Sequence, residues 1–270
     1  MTSLRDLKAR LFTIIAFLSL RKTCLVRFNR HLLPSHSASW PISLQNPSGY
    51  YLNCVRFFYQ GAPPYLRAHR SFFLHDHRGF GEDAFHVMWH ALFAFFRPES
   101  FLEIGVYRGQ TLSLASLCSK EMEFPCSVSG VSPFTESGDS VSVYQKGLNY
   151  YEDTLKNFRH FELPTPNLIR GFSTDSDVLK FIRHQKWPMI YIDGNHDYHV
   201  AREDFINCAS VLTPQGIIVL DDSGLSTTFD APFYATRGHP GPSKLATEVP
   251  GFGFREVLQV GHNRVFQKIS

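Results

Sequence analysis

Apolar and polar positions recur along this chain in two periods, and the switches between them mark out the elements. Over residues 82–96, Phe85, Met88, Trp89, Leu92, Phe93 and Phe96 repeat at helical spacing, and Pro98 stops the run. A short apolar stretch follows, Phe101-Leu-Glu-Ile, then two glycines, Gly105 and Gly109, and a second helical pattern. That order predicts a buried strand, a tight turn and a helix. The alternation continues with strands over residues 126–131, 167–171, 188–193 and 216–222. Helices are predicted over 141–161, 175–184 and 198–212. Two last strands, 254–260 and 264–268, are separated only by Gly261-His-Asn263, a hairpin turn. Strand–helix alternation closed by a hairpin predicts an α/β, Rossmann-like doubly wound sheet of seven strands, mostly parallel with one antiparallel strand.

The first 80 residues read differently. Residues 34–70 are punctuated by Pro34, Pro41, Pro47, Gly49, Gly61, Pro63 and Pro64 between aromatic-rich pieces, and read as an irregular cap or lid. The expected division is a basic, apolar helix with an aromatic cap over residues 1–80 and a catalytic domain over 81–270. The aromatic segment 50–73 and the loop 238–243 are the expected specificity elements.

Composition bounds the classes. An apolar content of 43% against 19% charged residues, over 270 residues, supports a sizeable core and excludes global disorder. The net charge of +3 is unevenly spread: residues 1–30 hold seven Lys or Arg against Asp6 alone, a local +6 that leaves the remainder at −3. A mildly acidic body argues against nucleic acid as its ligand. The apolar decamer 11–20 is too short for a hydrocarbon core that needs about 20 residues. Its basic flanks suit a helix lying on an anionic membrane surface, the alternative being a helix packed on the body or on a partner subunit. Five scattered cysteines without a C-x-x-C pair indicate neither zinc knuckle nor disulfide framework and fit a reducing cytoplasm.

Acids recur at predicted strand ends: Glu103 on the first, Asp193 on the fourth, Asp221 and Asp222 on the fifth. In a parallel sheet those ends share one edge, where open α/β folds bind ligands. Acids at a single end are often helix caps. Acids on three ends, with an Asp-Asp pair, suit a hard cation beside a polar ligand. His86 and His90, at i and i+4, have metal-capable spacing but lie on an apolar helix and read as core or lid residues. His75-Asp76-His77 reads as a turn, either solvated or near the site's mouth.

Glu103-Ile-Gly105-Val-Tyr-Arg-Gly109, Ile192-Asp-Gly-Asn-His-Asp-Tyr198 and Val219-Leu-Asp-Asp222 together resemble the class I S-adenosylmethionine-dependent methyltransferases. Within them the chain is similar to the metal-dependent sugar and macrolide O-methyltransferases (cephalosporin hydroxylase-like), over about residues 80–270. The resemblance implies that Glu103, Gly105, Tyr107, Gly109 and Thr111 surround the methionine and ribose of S-adenosylmethionine, with Ser173 beyond the third strand. It implies Mg²⁺ (or Mn²⁺) on Asp193, Asp221 and Asp222, and His196 as the base. The second strand, which usually ends in a ribose-binding acid, here ends in Ser132-Pro133-Phe134, leaving either Ser132 or Asp139 for that role. The expected activity is methyl transfer to a hydroxyl of a small polar acceptor, a sugar or glycosylated metabolite. Oligomeric state stays open, a homo-oligomer included.

Three other classes compete. Gly194-Asn-His-Asp197 matches one element of calcineurin-like metallophosphoesterases, but the chain lacks their D-x-H, G-D-x-x-D and G-H-x-H elements. An NAD-dependent oxidoreductase wants G-x-G-x-x-G and an acid about 20 residues on; the chain has G-x-x-x-G and no such acid. A binding module that kept the fold would have little use for Asp193, His196, Asp221 and Asp222 together.

Overall fold

The computed structural model describes residues 4–142 and 144–269. Seven strands form one sheet: β1 (Ser100–Ile104), β2 (Ser127–Ser132), β3 (Asn167–Arg170), β4 (Trp187–Ile192), β5 (Leu212–Leu220), β6 (Phe254–Val260) and β7 (Asn263–Lys268). Their order is β3-β2-β1-β4-β5-β7-β6, with β7 antiparallel to both neighbours and the others parallel, as the pattern predicts. The chain moves outward from β1 to β3, then returns to lay β4 beside β1. The strand ends of β1 and β4 therefore flank the switch point where such sheets leave a crevice.

Helices follow in chain order: α1 (Leu4–Leu25), α2 (Trp40–Gln45), α3 (Pro47–Gln60), α4 (Pro64–Leu74), α5 (Asp83–Phe96), α6 (Gln110–Glu121), α7 (Tyr150–His160), α8 (Ser176–Arg183), α9 (Tyr198–Val211) and α10 (Pro240–Glu248). Side chains alternate across the sheet and build two cores. Phe101, Met189, Tyr191, Ile217 and Val219 face α2 to α7, while Leu102, Ile104, Ile190, Ile192, Ile218 and Leu220 face α8 to α10. Trp89 on α5 sets its ring edge against Phe101 and Tyr191, with centroids 5.5 and 5.0 Å apart. Truncating such a fully buried aromatic costs about 3–5 kcal/mol.

Two expectations need correction. Residues 34–70 are largely helical, because Pro41, Pro47 and Pro64 occupy first-turn positions of α2, α3 and α4, where a missing N–H costs nothing. The prolines start helices here. Tyr50, Tyr51, Val55 and Phe58 are buried in the same core as α5 and α6, so the aromatics of this segment build the protein's interior. The second concerns α7, which begins at Tyr150 and not at residue 141. The Asn149 side chain accepts from the Glu152 N–H (3.1 Å) and sets the start. Upstream, Asp139 Oδ1 accepts from the N–H groups of Val141 and Ser142 and holds a local turn in place of helix.

α1 is anchored to the body through its C-terminal part, with a ring contact further up, Phe12 against Phe233 at 4.4 Å. Leu20 and Cys24 pack against the core, and Gln60 Nε2 donates to the carbonyls of Cys24 and Val26 (2.8 Å each). Leu7, Leu11, Phe12, Ile14, Ile15, Phe17 and Leu18 are exposed. Within the molecule, packing on the body therefore accounts for the end of this helix and not for its apolar run. No helix among the described residues is long and apolar enough to cross a membrane.

Candidate active site

The carboxyl edge of the sheet opens into a cavity of about 550 Å³. β1 brings Glu103 to it, nearly fully buried, with Oε2 lacking any hydrogen-bond partner. Burial pushes the Glu103 carboxyl up to about 8, despite an opposing hydrogen bond from the Leu112 N–H. On the same cavity, Gln110 at the start of α6 accepts from the Gly81 N–H at its Oε1 (2.9 Å) and keeps a buried Nε2 without a partner. An acceptor and a donor, both dry and both lining the cavity, are poised for a polar ligand.

The loop after β1 is shaped by its glycines. Gly105 sits at φ +101°, and any Cβ there would overlap the Asp193 carbonyl. Gly109 caps α6 at φ +76° and gives room to Thr154 of α7, 2.6 Å from where its Cβ would stand; it does not line the cavity. Gly105, Tyr107, Thr111, Ser132, Asp139 and Ser173 all do. Buried Arg108, between these glycines, pairs with Asp153 of α7 (2.6 Å) and donates to the Asp76 carbonyl (2.9 Å). The His75–His77 turn is thereby tied down as scaffold.

The acids converge as expected. The Asp193 N–H continues the β1 ladder to the Ile104 carbonyl (2.8 Å), and the Asp221 N–H that of β4 to the Ile192 carbonyl (3.0 Å). Burial and the charges of Asp221 and Asp222 hold Asp193 well above the usual carboxylate range. Asp221 goes the other way. Burial raises it, but the positive charge of His262 foremost carries it down to about 2. Asp222 adopts left-handed backbone at φ +49°, a conformation that Asp tolerates, and its carbonyl accepts from the His239 N–H (2.8 Å). Asp221 Oδ1 is buried without a hydrogen-bond donor.

His196 stands between two of these carboxylates. Its Nδ1 lies 2.6 Å from Asp139 Oδ2 and its Nε2 2.8 Å from Asp222 Oδ2. Burial lowers its pKa, but the hydrogen bonds with Asp222 and Asp139 prevail and lift it to about 9. The Asp139 side chain is almost wholly enclosed and fully employed, since Oδ2 also accepts from the His196 N–H (2.6 Å).

Sequence reasoning missed His262, on the β6–β7 turn. Its Nε2 is 3.3 Å from Asp221 Oδ1 and 3.8 Å from Asp222 Oδ1. The signal was topological: an antiparallel β7 paired with β5 brings its leading turn to the carboxyl edge. His239 was missed too, with its ring 4.4 Å from that of His196. No residue of 50–73 lines the cavity. Phe80, Tyr107, Thr236 and His239 stand at its walls instead, so of the two expected specificity segments only the neighbourhood of 238–243 reaches it.

Comparison with known proteins agrees with this architecture. Residues 102–223 match the sequence profile of a methyltransferase domain. No curated protein sequence matches the chain. Among solved structures, an O-methyltransferase from Bacillus cereus in complex with S-adenosylhomocysteine is similar at 12% identity, covering 87% of this chain and 100% of that one, with a TM-score of 0.54. The S-adenosylhomocysteine-bound methyltransferase PaMTH1 of Podospora anserina gives 13%, 77%, 89% and 0.53. A putative caffeoyl-CoA O-methyltransferase from Staphylococcus aureus gives 12%, 78%, 94% and 0.53.

Proposed function

We propose that this chain, whose residues 102–223 match the profile of a methyltransferase domain, transfers a methyl group from S-adenosylmethionine to a hydroxyl of a small polar acceptor, a sugar or glycosylated metabolite. The observation that carries this reading is Glu103: a dry carboxyl at the switch point whose Oε2 has no partner, lining the same cavity as the unpartnered Gln110 Nε2 and three more acids. Glu103 would accept from the cofactor's hydroxyls or ammonium, with Tyr107, Thr111 and Ser173 around it. Ser132, at the end of β2, would take the ribose side, since both Asp139 oxygens serve His196 and its turn.

Asp193, Asp221 and Asp222 fit a divalent cation, Mg²⁺ or Mn²⁺, by their oxygen donors and by the orphaned Asp221 Oδ1. Such an ion, when bound, supplies positive charge that lowers the pKa of a nearby hydroxyl. The chain's own residues do the rest. Asp139 Oδ2 accepts a hydrogen bond from the His196 Nδ1–H and fixes the ring, so Nε2 faces Asp222 and the cavity. Once its own Nε2 proton has gone to solvent as pH rises toward about 9, His196 Nε2 takes the acceptor's proton. The acceptor oxygen meanwhile attacks the methyl carbon in line, and S-adenosylhomocysteine leaves with the electron pair of the broken C–S bond; positioning supplies much of the rate. Phe80 and Tyr107, with ring centroids 5.2 Å apart, wall the mouth and offer faces for a ring-shaped acceptor. Residues 1–80 act in this reading as a cap on a catalytic unit of residues 81–270. Calorimetric titration with S-adenosylmethionine, NAD and a phosphate ester, each with and without Mg²⁺, tests it. Saturable binding of the first alone is expected; binding of NAD or of the ester instead would overturn it in favour of an oxidoreductase or a phosphoesterase.

We also propose that α1 docks on anionic membrane. Most of its apolar run is exposed and bracketed by Lys8, Arg10, Arg21 and Lys22, and Phe233, itself exposed, sets its ring at a tilt 4.4 Å from that of Phe12. Ten helical residues reach about 15 Å, enough for one leaflet. Basic flanks add about 1 kcal/mol each near an anionic surface. Truncation after residue 18 spares the grip of Leu20 and Cys24 on the body. Flotation with phosphatidylserine vesicles should capture the full chain and not the truncated one. Equal flotation of both, or a dimer–monomer change on truncation without lipid, would contradict the docking.

A further inference from the structure

His262 sits within reach of the proposed cation site, and its surroundings fix both its position and its tautomer. The Ser223 N–H and Oγ donate to the His262 carbonyl (2.9 and 3.1 Å), so the residue that follows the Asp221–Asp222 pair is tied to the histidine's own backbone. The Phe85 ring stands edge-on against the imidazole at 4.7 Å, and only 6% of His262 is exposed. Its Nδ1 is 3.1 Å from the Thr236 carbonyl. A carbonyl oxygen only accepts, so Nδ1 carries the hydrogen and the neutral ring presents the Nε2 lone pair to the acids. Metal-binding histidines are oriented in this way, the far nitrogen donating to a backbone carbonyl.

That lone pair meets Asp221 Oδ1 at 3.3 Å and Asp222 Oδ1 at 3.8 Å. Lone pair against carboxylate is repulsive unless a positive charge lies between them. A proton on Nε2 is one such charge and serves in the metal-free protein, though its approach leaves Asp221 Oδ1 without a well-formed hydrogen bond. A metal ion is the other. Adjacent donors around an octahedral ion with bonds of about 2.1 Å stand about 3 Å apart, close to these separations. His262, Asp221 and Asp222 also present one donor atom each within 4.8 Å of one another.

We propose that His262 is a ligand of the divalent cation held by Asp193, Asp221 and Asp222, so that the centre is a mixed imidazole–carboxylate site suited to a transition metal such as Mn²⁺, Fe²⁺ or Co²⁺ over Mg²⁺. The proposal rests on the reading of those aspartates as a cation site. Mg²⁺ is a hard ion that takes oxygen and keeps its waters, whereas imidazole suits the later divalent ions. His196 and His239 face the other oxygen of Asp222, Oδ2. They stay outside this coordination and leave His196 free for the acceptor's proton.

Pulsed electron paramagnetic resonance on the full chain loaded with Mn²⁺ tests this without any acceptor. The expected result is one bound Mn²⁺ with ¹⁴N coupling from a directly bound imidazole. That coupling should vanish in His262→Gln and persist in His196→Gln and His239→Gln. In competition titrations, the preference for Mn²⁺ over Mg²⁺ should shrink by roughly tenfold or more in His262→Gln. Bound Mn²⁺ without nitrogen coupling in the parent protein overturns the ligand role while leaving the aspartate site intact. Failure of the folded parent to bind Mn²⁺ at all overturns the aspartate site and this proposal with it. Should the His262 variant fold poorly, nitrogen coupling that persists in both His196→Gln and His239→Gln still supports the assignment, and coupling lost in either of them overturns it.

Discussion

Two histidine pairs lie on either side of the first strand's loop, and their chemistry is opposite. His69 and His86 meet between α4 and α5, with His69 Nδ1 3.1 Å from His86 Nε2 and His69 Nε2 2.9 Å from Ser113 Oγ. Phe73 and Phe161 lie against His69, 4.7 and 4.9 Å between ring centroids. The His86 Nδ1–H donates to the Glu82 carbonyl (3.0 Å), which completes a chain of neutral rings. Burial carries His69 well below its ordinary pKa and His86 down to about 4. His196 and His262 are also enclosed, yet they stand among carboxylates. Burial lowers each, and the acids overcome it: Asp222 and Asp139 lift His196 to about 9, and Asp221 lifts His262 to about 10. An enclosed histidine is thus structural or reactive according to whether rings or carboxylates surround it.

The largest expected effect separates the pairs by activity. His196→Ala removes the proton acceptor but no proposed ligand, so turnover should fall by roughly 10²–10⁴-fold while cation affinity barely changes. His86→Gln should leave turnover within a few-fold. Steady-state rates together with Mn²⁺ titration check both; a collapse of cation affinity in His196→Ala would make this histidine a ligand and move the base elsewhere. Next in size is Asp221→Asn, which removes a charge from the cation site. Its turnover loss should be partly restored by excess Mg²⁺ or Mn²⁺, and a loss that no cation concentration changes would contradict the assignment.

Stability should respond to pH with opposite signs at the two pairs. Between pH 6.5 and about 4 the unfolded chain binds a proton at His86 that the folded chain refuses. Stability therefore falls on acidification through that window, by roughly 3 kcal/mol from this residue. In chelator, His196 and His262 do the reverse. The folded state holds protons that the unfolded state releases above pH 6.5, so stability present below that value is lost as pH rises toward 9 to 10. Denaturant midpoints across pH 4–10, with His86→Gln flattening the acid limb and His262→Gln the alkaline one, check the signs. A parent whose midpoint does not fall toward either end of that range would contradict them.

The sheet was legible in the sequence because its central strands carry short apolar runs buried on both faces, Phe101-Leu102 in β1 and residues 217–220 in β5, whatever packs on them. The acids were legible because parallel strands put their ends on one edge. Asp193, His196, Asp221 and Asp222 do meet there. The prolines misled because a proline's meaning depends on whether a helix begins at it, and Asn46, whose side chain accepts from the Gly49 N–H at the start of α3, is not a strong signal from sequence. Asp139 was placed near the ribose because a loop acid has no register. Only tertiary structure shows that a turn anchors one of its oxygens and His196 occupies the other. His262 lies in a hairpin turn, and nothing local distinguishes it from a solvated turn histidine. Gly105 was read as a ligand contact, and its φ and the Asp193 carbonyl show that the backbone needs it as well. Gly105→Val would therefore disturb the fold and the site together.

Glu103 separates the two more cleanly, and calorimetric titration of S-adenosylmethionine into the parent and Glu103→Gln is the most direct test of the central claim. The amide keeps the shape of the buried carboxyl but gives up the charge and one acceptor. The parent should bind one equivalent. The variant, folded with an unchanged or higher melting temperature because a buried carboxyl has been relieved, should bind about 10- to 100-fold more weakly, the scale of a hydrogen bond to a charged group. Equal affinity in both proteins, or no binding by the folded parent, would contradict the assignment of this strand edge to S-adenosylmethionine.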